Sequence, residues 1–138
     1  PKETEKPMLE ELRKFGLHFG VAYQLIDDWL DYAGDSATMG KNTGDDLAEG
    51  KMTLPLILAL QNATERERAC LSNAIKNRSA SEATRVVEIV NHSGALELTR
   101  KSAMEEIQRA RDTLRHVEPS IHKRHLETLT EYSLKRLS

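Results

Sequence analysis

From Leu9 to Ala33 the apolar residues Leu12, Phe15, Phe19, Ala22, Tyr23, Ile26, Leu30 and Ala33 recur at three- and four-residue steps. That period is helical, and β-branched alternation does not compete with it in the rest of the chain. One long amphipathic helix follows, with Gly34 as its stop. A polar loop punctuated by Gly40 and Gly44 runs on to Gly50. Thr53-Leu54-Pro55 reads as a helix start, because proline is tolerated in the first turn. The run through Leu60 is apolar on every side, which predicts a buried helix. Thr64 with Glu67 and Ser79 with Glu82 have capping-box spacing and predict two shorter helices. His92-Ser93-Gly94 is a stop, a long helix follows from about Ala95 to Val117, and Pro119 opens a last one reaching about Leu137. The predicted fold class is all-α, with residues 1–138 as a single helical unit.

Composition limits what such a unit can do. Its 138 residues are 38% hydrophobic and 30% charged, with a net charge of −2. A domain of that size buries roughly 68–70% of its unfolded surface. The near-neutral balance gives no electrostatic footprint for nucleic acid. The longest apolar run, Leu54–Leu60, is too short for a transmembrane segment, and no targeting pattern opens the chain. One cysteine, Cys70, excludes an internal disulfide framework and predicts a reducing, cytoplasmic setting. The first residue is Pro1, which fits a processed chain or a fragment.

The small net charge conceals an asymmetry. Residues 1–68 carry eight basic and thirteen acidic groups, residues 69–138 twelve and nine. Seven acids fall within residues 27–49, against one lysine, Lys41. At about 100° per residue, Gln24, Asp27, Asp28 and Asp31 share one arc of the first helix, opposite the apolar stripe. Three carboxylates so close repel one another, and a hard divalent cation relieves the conflict. Magnesium takes oxygen ligands and is commonly shared with substrate phosphates. On an arbitrary surface helix, a D-D-x-x-D pattern is more often a solvated acidic face. Here it sits mid-helix, far from the N-terminal turn that favours acids. Lys41, between Gly40 and Gly44, supplies a point charge for phosphate, although the spacing is not that of a P-loop.

The remaining polar residues have plainer readings. His18 lies away from the aspartates and reads as structural. His116, His122 and His125 cluster near a helix junction without an acid or cysteine to complete a metal site. Cys70 reads as a small packed apolar residue, and the basic excess over 100–124 as solvated surface.

Phe19-Gly20-Val21-Ala22-Tyr23-Gln24-Leu25-Ile26-Asp27-Asp28-Trp29-Leu30-Asp31 resembles the second aspartate-rich motif of the trans-polyprenyl diphosphate synthases. Gly40-Lys41-Asn42-Thr43-Gly44-Asp45-Asp46-Leu47 and Gly50-Lys51-Met52-Thr53-Leu54-Pro55 resemble the segment that follows it. The wording is nearest the medium- and long-chain members, and residues 61–138 fit the family's C-terminal helices by position. The resemblance implies the C-terminal part of the isoprenoid synthase helical fold. It also implies head-to-tail condensation of isopentenyl diphosphate with an allylic diphosphate, with Mg2+ as cofactor. Asp27, Asp28 and Asp31 would hold the metal, Lys41 would contact the allylic diphosphate, and Gln24 would lie beside the reacting centre. Asp45 and Lys51 match motif positions and are assigned to substrate binding.

The chain has no second D-D-x-x-D, whereas family members carry an earlier one on a facing helix. The expectation is therefore a chain that is inactive alone, needs the N-terminal part of the same enzyme, and assembles as a homodimer or heterodimer. A class I terpenoid cyclase fragment and a non-catalytic diphosphate- or partner-binding subunit are the alternatives. The G-K-x-x-G-D-D-L and G-K-x-T-L-P continuations favour the synthase.

Overall fold

The computed structural model describes residues 5–33, 47, 49–78 and 80–138. Lys41, Asp45, the stop at Gly34 and the cap at Ser79 lie outside the described residues. Among the described residues there are six α-helices: α1 (Lys6–Ala33), α2 (Leu54–Asn62), α3 (Glu65–Asn77), α4 (Ala83–His92), α5 (Ala95–Leu114) and α6 (Ile121–Arg136). No strand occurs among the described residues. The all-α expectation is met, and no helix is long and apolar enough to cross a membrane among the described residues.

Local chemistry explains most boundaries. Thr64 Oγ1 accepts from the Glu67 amide at 3.2 Å while Glu67 Oε2 accepts from the Thr64 amide at 2.9 Å. This reciprocal pair satisfies two of the amides that a helix start leaves without partners. Between α4 and α5 one hydroxyl serves both ends. Ser93 Oγ donates to the Val90 carbonyl at 2.8 Å and accepts from the Ala95 amide at 3.1 Å, while Gly94 takes φ 82°. Ser120 caps α6 by accepting from the Lys123 amide at 3.0 Å.

Three boundaries differ from expectation. Ala80–Glu82 form a single 3-10 turn, and α4 begins at Ala83 behind Glu82, which makes no side-chain cap bond. α5 ends at Leu114, and turn bonds from Arg115, His116 and Val117 close the chain behind it. Pro119 precedes α6 without entering it.

The chain divides into two compact units: Pro1–Ile26 with Lys101–Ser138, and Asp27–Arg100. In the first, Phe15, Ala110, Leu114 and Val117 form a buried core, flanked by Met8, Leu12, Phe19 and Leu126. Phe15 and Phe19, one helical turn apart, stack with centroids 5.5 Å apart. His18 Nδ1 lies 2.8 Å from Glu106 Oε2. A carboxylate only accepts, so Nδ1 carries the proton in this contact. Arg109 binds the other Glu106 oxygen. Burial acts to raise the Glu106 pKa, but the hydrogen bonds from His18 and Arg109, and their charges, outweigh it and hold the carboxyl below its ordinary value. His18 is structural, as expected, and Glu106 is its partner.

In the second unit Tyr32, Leu47, Leu56, Ala59, Leu71, Ala74, Val86, Ile89, Val90 and Ala95 make one core. The helices α2, α3 and α4 pack against one another around it. The buried reading of α2 holds for Pro55, Leu56 and Ala59, whereas Ile57 is exposed. Thr53 occupies the N-cap position without a side-chain cap bond, and its hydroxyl is buried without a hydrogen-bond partner. Cys70 is half-buried against the same core.

Candidate functional site

α1 is continuous from Lys6 to Ala33, so Gln24, Asp27, Asp28 and Asp31 follow one another at steps of three, one and three along a single helix. Their burial departs from the amphipathic reading. Asp28 is 8% exposed and Asp31 only 1%, as deep as the core; Asp27 and Trp29 are half-buried. Tyr23, assigned to the apolar stripe, is instead 53% exposed, and its ring lies 5.5 Å beneath the Arg136 guanidinium. Ala33 is exposed as well. The helical wheel distinguishes polar from apolar faces, but it does not say which face the rest of the chain covers.

The burial of Asp28 and Asp31 separates two readings of the motif. A solvated acidic face leaves its carboxylates in water, where charge is cheap. Burying a carboxylate is expensive unless a partner or a cation compensates it, so Asp28 and Asp31 do not belong to a merely solvated face. Among the described residues, no three His, Cys, Asp or Glu side chains are disposed to hold one metal ion. Asp27 and Asp28 stand about 100° apart, at the two edges of the arc that they share with Asp31.

Lys51 lies in the second unit, just before α2. It is exposed, and its ammonium pairs with Glu49 at 3.0 Å. Gly50 precedes it with φ 78°, and the Gly50 amide donates to the Leu47 carbonyl at 2.9 Å. Gln24 is exposed on α1, and Lys41 and Asp45 fall outside the described residues. The three later histidines, His116, His122 and His125, belong to no metal-binding group among the described residues.

Sequence reading missed Arg78. It closes α3 at φ 48°, ψ 39°, and its guanidinium packs on Gly50. The glycine before Lys51 was a visible signal of close approach, but nothing in the sequence said what approaches it.

Known proteins are similar to this chain in sequence and fold. The family model for polyprenyl synthetase matches residues 2–92. The all-trans-nonaprenyl-diphosphate synthase (geranyl-diphosphate specific) of Rhodobacter capsulatus is 45% identical over 128 residues, covering 93% of this chain and 39% of the relative. The octaprenyl diphosphate synthase of Escherichia coli is 43% identical over 100 residues, covering 72% of this chain and 31% of the relative. Among solved structures, a decaprenyl diphosphate synthase from Rhodobacter capsulatus superposes with a TM-score of 0.86 at 33% identity, over 96% of this chain and 42% of that one. A polyprenyl synthase from Caulobacter crescentus, complexed with calcium and isoprenyl diphosphate, gives 0.82 at 38% identity, over 94% and 40%. The chain therefore spans between 31% and 42% of the length of these proteins.

Proposed function

Because the chain belongs to the polyprenyl synthetase family, we propose that it is the C-terminal portion of a trans-prenyltransferase. That enzyme condenses isopentenyl diphosphate with an allylic diphosphate to give a medium- or long-chain polyprenyl diphosphate. The observation that carries this reading is the burial of Asp28 and Asp31 on α1, within the segment the family model matches. Residues 1–138 form one helical part of the enzyme's domain. The assembly is a homodimer, and its compartment is the cytoplasm.

The donor set fits magnesium: Asp27, Asp28 and Asp31 offer only hard carboxylate oxygens. They would hold the metal, which when bound supplies Lewis-acid neutralisation of a leaving diphosphate. The chain's own side chains do the rest. Lys41 and Lys51 bring positive charge to the diphosphate as point donors, and the pairing of Lys51 with Glu49 keeps that ammonium near the turn until an anion competes for it. Gln24, exposed on α1, presents an amide oxygen whose negative end stabilises the allylic cation left when the C–O bond breaks. Asp45 binds substrate in the same segment. The isopentenyl double bond then attacks the cation, and a proton is lost from the adduct.

Titration calorimetry with magnesium and inorganic diphosphate tests the site in this chain. Magnesium-dependent binding is expected, weakened on the order of tenfold or more by Asp28→Asn or Asp31→Asn. Binding that is indifferent to both substitutions would remove the aspartates from the site. The chain alone should make no polyprenyl product from radiolabelled isopentenyl diphosphate and an allylic primer, since less than half of the relatives' length is present. Sustained product formation would refute that.

A further inference from the structure

In the second unit a strained residue faces a glycine. Arg78 is the one non-glycine residue with positive φ among the described residues. Helix ends that turn left-handed usually use glycine, because a Cβ crowds the neighbouring carbonyl. Arginine is not among the side chains enriched in that conformation, so placing it there costs strain that a contact elsewhere can offset. The gain is visible at Gly50. A Cβ built on Gly50 would lie 2.8 Å from Arg78 Nε, 2.9 Å from Cζ and 3.1 Å from Nη2. The guanidinium therefore occupies the space that any side chain at position 50 would need. Gly50 is also strained for other residues, at φ 78°. Two unusual backbone positions thus meet at one contact.

That contact closes a turn. From below, the Gly50 amide is tied to the carbonyl of Leu47, which is buried in the core at 2% exposure. On the side where a Cβ would stand, the Arg78 guanidinium closes the space beside Gly50. Lys51 is the next residue, and its direction depends on how firmly Gly50 is held. We propose that Arg78 is a positioning residue: held over Gly50 by a left-handed helix end, it fixes the turn from which Lys51 reaches the diphosphate. This rests on the assignment of Lys51 to diphosphate binding. The plane of the guanidinium matters here as well as its charge, so lysine is not an equivalent.

The test is tryptic cleavage of the Lys51–Met52 bond in the full chain, followed by mass spectrometry with and without magnesium and inorganic diphosphate. In Arg78→Gly, cleavage at Lys51 should accelerate by about fivefold or more. The melting temperature should hold or rise, because glycine relieves the helix end. Arg78→Lys and Gly50→Ala should also open the bond, the first by losing the plane and the second by displacing it. In Arg78→Gly the diphosphate concentration giving half-protection of Lys51 should rise by about threefold or more. Cleavage at the original rate in Arg78→Gly would overturn the proposal. So would a uniform acceleration at all sites with a lower melting temperature, which would make Arg78 only a stabiliser of the unit. If the variants open the bond but diphosphate never protects the original chain, the turn is pinned by Arg78, and the assignment of Lys51 to diphosphate fails.

Discussion

The two ends of α1 are built by opposite rules. Toward its start, in the first unit, Leu9, Leu17, Val21 and Tyr23 are exposed, Leu17 at 56%. Gly16 and Gly20 on the same stretch have open space where side chains would stand. Toward its end, in the second unit, the same helix buries two carboxylates. One end leaves apolar surface in water, and the other takes charge out of it. Neither is what a free-standing amphipathic helix does. The difference teaches that the core is only one of the things α1 is shaped for. The exposed apolar stretch suits further helices of the longer enzyme proposed above, and the buried acids suit a cation.

Substitutions along and around α1 can break this comparison, beginning with the largest effect. Phe15→Ala removes a ring from the first unit's core and should cost about 3–5 kcal/mol in denaturant unfolding; a loss under 1 kcal/mol would mean that the packed face of this end of the helix is no more demanding than its open face. Glu106→Gln should cost about 1 kcal/mol at neutral pH, a figure discounted because His18 is partly exposed. The folded pKa of Glu106 is depressed. Its contribution is therefore fully present above the unfolded carboxyl value and lost as pH falls through the folded one. Urea midpoints of the two proteins should converge in acid, and a constant gap would exclude the ion pair as its source. Thr64→Ala, at a start held by a reciprocal cap, should cost about 1 kcal/mol, measured as a shift in melting temperature. The smallest stability change belongs to the double substitution Leu17→Ser and Val21→Ser, expected within about 0.5 kcal/mol. Binding of a fluorescent apolar-surface dye should nevertheless fall, and unchanged dye binding would place the open face elsewhere.

Much of the fold is legible in the sequence because it is local. The period of α1, the Thr64–Glu67 box and the Ser93-Gly94 break each lie within a few residues and are decided by side chains acting on their own backbone. The start of α4 shows the limit of that logic, since Ala80–Glu82 form a 3-10 turn and the helix begins only at Ala83. The burial of Asp28 and Asp31 was not legible, because a wheel ranks faces of one helix and is silent about the others. The His18–Glu106 bond joins residues 88 positions apart, and Arg78 meets Gly50 across two helices. Such pairings are fixed by tertiary packing, for which a single sequence carries no local mark. The aspartates were therefore readable as a set on one helix, and their depth was not.

Trp29 is the chain's one tryptophan, and it stands half-buried between the two sunken aspartates. Its emission consequently reports on that segment alone, with no other indole to dilute the signal. A cation bound there, as proposed above, would alter the field around the ring within one helical turn. The protein thus carries an intrinsic optical gauge at the point where its charge is most concealed, and a simple fluorescence titration can follow that point without a label.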